Sequence, residues 1–100
     1  MYSVAALYKF SSIKDPESLH NEIRVKLKSL SIHGTILVGE EGINGTISGK
    51  DANLKSALTY IKSIKGFSEL DIKFSKSSIN PFGRLKIKQK KKLSQLEINQ

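Results

Sequence analysis

The middle of the sequence carries the stretch TILVGEEGINGTIS, residues 35–48. It begins with a short apolar run, Thr35–Val38, continues through the turn Gly39–Gly42 and ends with a second extended run, Ile43–Ser48. Apolar runs of this length on either side of a glycine-bounded turn are typical of paired antiparallel strands. The stretch therefore predicts a β-hairpin.

Amphipathic helices are predicted on both sides of this hairpin. Asp15 and Pro16 supply an N-cap and a first-turn proline for the first helix, and Gly49-Lys50-Asp51 caps the second, which Gly66 stops. Apolar residues recur at helical spacing: Leu19, Ile23, Leu27 and Leu30, then Leu54, Leu58, Ile61 and Ile64. The spacing predicts helices over about residues 16–31 and 51–65.

Three further extended segments complete the pattern. Tyr2–Phe10 predicts a first strand, the alternation of Leu70, Ile72 and Phe74 with polar residues a fourth, and Arg84 to about Lys90 a fifth. The predicted fold is α+β and ferredoxin-like (acylphosphatase-like). In this βαββαβ sandwich two helices cover one face of an antiparallel sheet, a basic strand is appended, and the other face is uncovered.

Composition excludes several classes of function. The 100 residues suit one domain, no apolar run reaches the roughly 18 to 20 residues that span a bilayer, and the start lacks the basic residues of a signal peptide. We therefore expect a cytoplasmic chain that does not engage a membrane. The absence of cysteine excludes a thiol nucleophile, and two distant histidines make a poor zinc site. We expect no catalytic residue, metal or cofactor.

The net charge of +8 is concentrated near the C-terminus. Residues 72–96 contain no Asp or Glu and eight basic residues: Lys73, Lys76, Arg84, Lys86, Lys88, Lys90, Lys91 and Lys92. Such a concentration attracts polyanions, although a solvated basic tail that aids solubility is the alternative.

The fifth strand is predicted to carry a basic ridge. A period of two places Arg84, Lys86, Lys88 and Lys90 on one side and the apolar Leu85 and Ile87, with Gln89, on the other. Basic groups about 7 Å apart along the strand are close to the phosphate spacing of a nucleic acid strand. With Lys91 and Lys92, these are the candidate nucleic-acid-binding residues. The alternative is an edge strand that lysines protect from aggregation.

Aromatic and imidazole side chains add little to this prediction. Tyr2, Tyr8 and Phe82 could stack on bases, but we expect each in the core or at its rim, so no stacking platform is evident. His20 is expected on the helix surface and His33 in a turn, both without partners.

The hairpin invites a functional interpretation through six residues: Glu40, Glu41, Gly42, Asn44, Gly45 and Thr46. Adjacent acids on a tight turn point apart and are poorly placed to share a proton or a metal. A phosphate-binding glycine loop would join a strand to a helix, whereas this turn joins two strands. The glycines are instead expected to allow a positive φ in the turn and a bulge at Asn44–Gly45.

Three blocks of the sequence resemble the rhodanese-related tRNA uridine hydroxylase family, whose bacterial members are rhodanese-like proteins of the UPF0176 type. Residues 34–49 are similar to the family's GTILLA-x-EGINGT-x-x-G pattern, residues 81–91 to its PF-x-RLKVK-x-KK pattern, and Tyr8–Phe10 to its first strand. The resemblance runs from Tyr2 to Lys92. It implies a ferredoxin-like N-terminal domain, followed in complete members by a rhodanese domain with an active-site cysteine. Those complete enzymes are oxidoreductases that modify tRNA by hydroxylating the wobble uridine with molecular oxygen.

The chain departs from this pattern after the lysine pair, where it reads Lys92-Leu93-Ser94 and then ends at Gln100. We therefore expect a ferredoxin-like domain over residues 1–92, a polar tail over 93–100 and no rhodanese domain. The expected function is that of a noncatalytic RNA-binding or scaffold domain, with tRNA and a rhodanese domain, in cis or in trans, as partners.

Two alternatives remain open. One is an interaction module whose uncovered sheet face packs on a rhodanese domain or on a second copy. The other, more remote, is an acylphosphatase-like enzyme, which requires an arginine in the first strand-to-helix loop. That loop here reads Ser11-Ser12-Ile13-Lys14-Asp15.

Overall fold

A computed structural model describes residues 2–89. They form seven elements: β1 (Tyr2–Phe10), α1 (Pro16–Ser29), β2 (His33–Gly39), β3 (Gly42–Lys50), α2 (Asp51–Ser63), β4 (Asp71–Ser77) and β5 (Leu85–Gln89). This order confirms the predicted α+β, ferredoxin-like βαββαβ arrangement with an appended strand.

The strands form one sheet in the order β4-β1-β3-β2-β5. The pairs β1–β3, β1–β4 and β2–β3 are antiparallel, whereas β5 runs parallel to β2 with Gly34 opposite Leu85. The sheet is therefore mixed rather than wholly antiparallel. The reason is topological, because residues 78–84 carry the chain from one edge of the sheet to the other, where β5 joins β2.

Both helices pack on the same face of the sheet. Buried side chains come from α1 (Leu19, Ile23, Leu27), from α2 (Leu54, Ala57, Leu58, Ile61) and from the strands (Ala5, Leu7, Ile36, Val38, Ile43, Ile47, Ile87). Leu30 and Ile64, which the helical spacing also places in the core, are only partly buried. The opposite face of the sheet, called here the open face, is not covered by either helix.

The helices begin where the caps predict and end two residues early. The Asp15 carboxylate accepts a hydrogen bond from the Ser18 backbone N–H at 3.1 Å, and Pro16 is the first helical residue. After α1, Ser31 takes a left-handed φ of 56°. After α2, Ile64 is extended at φ −73° and ψ 137°. Both conformations end the helical hydrogen-bond pattern.

The predicted bulge at Asn44–Gly45 is wrong. Pairing proceeds one residue at a time along both sides of β3, with Asn44 opposite Leu37 and Tyr8. Gly45 serves close approach instead, because a Cβ there would lie 2.2 Å from the Thr35 carbonyl oxygen. The predicted positive φ is found at Gly42, at 141°.

Within residues 2–89, neither helix combines the length and the apolar composition needed to cross a membrane.

Candidate nucleic-acid interface

The two sides of β5 face different surroundings. Ile87 is buried against α1, whereas Lys86 and Lys88 are exposed and lie opposite Thr35 and Leu37 of β2. Paired residues share a face of a sheet, so both lysines project from the open face. Lys90, Lys91 and Lys92 lie outside the described residues, and a role of any of these lysines in binding nucleic acid stays a prediction.

Arg84 adjoins both the lysines of β5 and the basic residues of α1. It precedes β5, and its carbonyl oxygen accepts a hydrogen bond from the Gly34 N–H at 2.9 Å. Arg84 lines a pocket with Arg24 and Lys28 of α1. It also lines a shallower depression with Lys86. The basic surface therefore extends from the open face around the sheet edge to α1, which the sequence prediction missed.

A signal for Arg24 and Lys28 is present in the sequence. The positions immediately after the buried residues of α1 are His20, Arg24 and Lys28. At a spacing of four they form a stripe beside the buried one, at the border between helix and sheet. Which sheet edge the stripe would meet depends on the parallel pairing of β5, which periodicity alone does not give.

Both histidines have hydrogen-bond partners, contrary to the sequence prediction. His20 Nε2 lies 2.5 Å from the Ile87 carbonyl oxygen, which connects α1 with β5. His33 Nδ1 lies 2.9 Å from the Phe82 carbonyl oxygen and 3.1 Å from Asn80 Nδ2. Both contacts arise because residues 78–84 and β5 return the chain to α1 and β2.

A short polar network holds the segment before β5. The Ser48 hydroxyl donates to Asn80 Oδ1 at 2.5 Å, and the Phe82 N–H donates to the same oxygen at 3.4 Å. Ser48 is fully buried, so its hydroxyl requires this partner. The network fixes the path that leads to Arg84.

The open face carries an aromatic pair, Tyr8 and Phe10, of which the sequence prediction placed Tyr8 in the core or at its rim. Tyr8 is 47% exposed and Phe10 is 63% exposed, so Tyr8 belongs to neither the core nor its rim. Their ring centroids are 5.8 Å apart at an interplanar angle of 74°. Tyr8 lies opposite Asn44, an exposed residue of the hairpin motif. Tyr2 and Phe82, the other aromatic candidates, are half-buried.

The hairpin residues divide into two groups. Gly42 and Gly45 are required by the backbone, because a Cβ at either position would lie within 2.2 Å of a carbonyl oxygen. Asn44 and Thr46 alternate with the buried Ile43 and Ile47 and therefore belong to the open face. Asn44 and Thr46 therefore lie on the surface that an external ligand could contact, where they line a depression with Tyr8.

The acids of the hairpin turn act through their backbone. The Glu40 carbonyl oxygen accepts from the Ile13 N–H at 3.0 Å, and that of Glu41 accepts from the Ser11 N–H at 2.8 Å. These bonds join the turn to the loop before α1. Among residues 2–89, no three acidic or imidazole side chains gather as metal ligands would.

Lys76 is separate from the basic surface. Its ammonium lies 3.0 Å from Asp51 Oδ2 and donates to Ser3 Oγ at 2.9 Å, and the Ser3 hydroxyl donates to Asp51 Oδ1 at 2.5 Å. The hydrogen bond from Ser3 and the paired Lys76 hold the pKa of the Asp51 carboxyl below its usual value of 3.8. This cluster neutralises Lys76 and joins α2 to β1 and β4.

Residues 2–93 match the UPF0176 acylphosphatase-like domain family. The chain is 38% identical over 92 residues to the tRNA uridine(34) hydroxylase of Caulobacter vibrioides, covering 92% of this chain and 29% of that protein. It is 40% identical over 90 residues to the tRNA uridine(34) hydroxylase of a Jannaschia species, covering 90% of this chain and 30% of that protein. The chain thus spans about three tenths of the length of these relatives.

The fold also resembles that of a solved acylphosphatase. The Bacillus subtilis acylphosphatase superposes with a TM-score of 0.67 at 11% identity, covering 87% of this chain and 98% of that one. A likeness at this identity concerns the fold alone.

Proposed function

Because the chain belongs to the UPF0176 acylphosphatase-like domain family, we propose that it is a substrate-binding domain that holds the tRNA backbone. The relatives it matches are named for an activity on uridine 34 of tRNA. In this proposal the chemistry on the base belongs to a rhodanese domain in cis or in trans, outside residues 1–92. A cytoplasmic location is part of the proposal, since tRNA is the named substrate.

The observation that carries the proposal is the exposure of Lys86 and Lys88 on the open face, backed by the buried Ile87. Alternate residues of a strand are about 7 Å apart, and successive phosphates of one nucleic acid strand are separated by a similar distance. Within residues 2–89 neither lysine forms a salt bridge; the pair found there is Lys76–Asp51. Both ammonium groups are therefore available to an external anion.

The same lysines would also protect an edge strand from pairing with another sheet. Edge protection needs charge but no phosphate contact, so the two roles differ in their salt dependence. If Arg84, Lys86, Lys88 and Lys90 each meet one phosphate, the logarithm of the binding constant for single-stranded RNA should fall against log salt with a slope near −3, at about −0.7 per contact.

The test is a salt titration of RNA binding, read by fluorescence anisotropy, on the full chain and two double variants. K86A/K88A should flatten the slope by about 1.4 and weaken all RNA sequences equally, because phosphate contacts carry no base information. The matched control is K55A/K62A on α2, which removes the same charge from exposed positions beside β4. An equal loss of RNA affinity and of salt slope in both variants would show that only the net charge of the chain matters. A wild-type chain that fails to bind tRNA at low salt would remove the proposal.

A second candidate function is protein interaction, and the exposed pair Tyr8 and Phe10 favours it. Two aromatic side chains on an uncovered sheet face offer apolar surface to a rhodanese domain or to a second copy of the chain. Sedimentation velocity over a concentration series should then show a dimer that Y8A/F10A abolishes, or a complex with the rhodanese domain of a relative. RNA binding that needs Tyr8 and Phe10, in a chain that stays monomeric and takes up no rhodanese domain, would assign the pair to RNA instead.

A further inference from the structure

A cationic pocket lies between α1 and the segment before β5. Its volume is about 480 Å³, and its charged walls are Arg24 and Lys28 of α1 and Arg84. The remaining lining residues are Ser31, Ile32, His33, Gly83 and Leu85.

No acid lines this pocket, and none of its three cations forms a salt bridge within the described part of the chain. Because the three cations line one pocket, an anion bound there would be attracted by all of them. Arginine guanidinium groups match the geometry of phosphate oxygens through paired hydrogen bonds. The chemistry therefore favours a phosphate group as the ligand.

The pocket is held in place from both sides. Leu19, Ile23 and Leu27 bury one stripe of α1 and so fix where Arg24 and Lys28 emerge. On the other side, the backbone of Arg84 is bonded to Gly34. These restraints hold the backbone from which the three cations project before any ligand binds.

We infer that Arg24, Lys28 and Arg84 together bind one phosphate group. Arg84 also lines the depression that contains Lys86, so the pocket is continuous with the lysines of β5. An RNA strand that runs along β5 would place a phosphate in the pocket at its end. The assignment of that phosphate to RNA rests on the proposed function, whereas binding of a free phosphate ion or monoester does not.

The first experiment is an NMR titration of the full chain with inorganic phosphate, with chloride holding the ionic strength constant. Amide signals of residues 31–33 and 83–85 should shift and saturate. R24A/K28A should weaken this binding about tenfold or more, since the loss of even one charge-assisted hydrogen bond, at about 1.5 kcal/mol, is a tenfold change. K55A/K62A should leave it unchanged. Signal shifts scattered over the whole domain, or equally weakened phosphate binding in both variants, would refute the phosphate site in this pocket.

The second experiment repeats the titration with a single-stranded oligouridylate at several salt concentrations. Because three cations share one phosphate, R24A/K28A should flatten the salt slope by no more than about 0.7. A change near 1.4 would mean two separate phosphate contacts and would contradict a shared site. The variant R24Q/K28Q keeps the side-chain stems and replaces R24A/K28A if that chain does not fold.

The two experiments separate the pocket from the proposed function. If R24A/K28A binds RNA like the wild type while K86A/K88A flattens the salt slope of RNA binding, the proposed function is supported and the phosphate site in the pocket is refuted. If inorganic phosphate shifts the NMR signals of the pocket amides but RNA does not bind, the pocket is supported as a site for a free phosphate group and the proposed function is refuted.

Discussion

His20 Nε2 lies 2.5 Å from the carbonyl oxygen of Ile87, so a side chain of α1 holds the backbone of the edge strand β5. A carbonyl oxygen only accepts, so Nε2 is the donor of this hydrogen bond. The bond connects the helix that bears Arg24 and Lys28 with the strand that bears Lys86 and Lys88.

Replacing His20 with Ala should loosen β5 selectively. A single hydrogen bond contributes about 1 kcal/mol, so hydrogen exchange of the β5 amides should accelerate about fivefold while β1 and β3 amides change less. Val25→Ala, at an exposed position of the same helix, is the control. Unchanged exchange in β5 would show that the contact does not stabilise the strand.

Gly45→Ala should destabilise the fold strongly. The new Cβ would lie 2.2 Å from the Thr35 carbonyl oxygen and 2.7 Å from the Ile36 Cα, and neither backbone atom can move without disturbing the sheet. A loss of about 3 kcal/mol or more is expected in urea unfolding. Gly83→Ala meets no atom within 4 Å and should change stability by less than about 0.5 kcal/mol. Similar losses in both variants would refute close approach as the reason for Gly45.

Asp51→Asn should lower stability in a pH-dependent manner. Ser3 and Lys76 depress the folded-state pKa of Asp51 below 3.8, so its contribution is complete above pH 3.8 and is lost as the pH falls through the depressed pKa. The difference in unfolding free energy between wild type and D51N should be constant near neutral pH and shrink in acid. Urea titrations across the acid range measure it, with D71N at an exposed site of β4 as control. A difference that does not change with pH would contradict the ion-pair account.

The chain alone should turn over none of three substrates: thiosulfate with cyanide, tRNA under oxygen, or an acyl phosphate. It has no cysteine to act as nucleophile, and its first strand-to-helix loop offers Lys14 but no arginine. Product formation would be compared with a no-protein control. Hydrolysis of the acyl phosphate would support the acylphosphatase-like alternative, and turnover of either other substrate would show that the chemistry needs no thiol.

The spacing of apolar residues predicts the helices and strands well, because buried residues recur at a fixed interval in each helix and strand. The stripe Leu19–Ile23–Leu27 identifies α1, and the alternation around Ile87 identifies β5. The features that sequence reasoning missed depend on how distant segments meet. Residues 78–84 cross one end of the sheet. This crossing accounts for the partners of His33, for the pocket that Arg84 lines with Lys28, and for the parallel pairing of β5.

Which residues lie on the open face is likewise not given by the sequence pattern alone. Tyr8 and Phe10 alternate with Leu7 and Lys9, but alternation does not say which side the helices cover. Lys28 is a further case. Lys26 and Lys28 look equivalent in the sequence, yet Lys26 lies 5.9 Å from the centre of the Tyr60 ring, whereas Lys28 lines the cationic pocket.

The strand order has a consequence for folding. The hairpin of β2 and β3 joins neighbours in the chain, such as Val38 and Ile43, whereas β4 and β5 pair Ser77 with Tyr2 and Leu85 with Gly34. Long-range pairs close slowly, so both edges of the sheet should form last. During synthesis, the half-sheet of β1, β3 and β2 precedes both edge strands. In that interval its two unpaired borders are open to other chains, which makes the nascent domain most prone to aggregation just before β4 and β5 emerge.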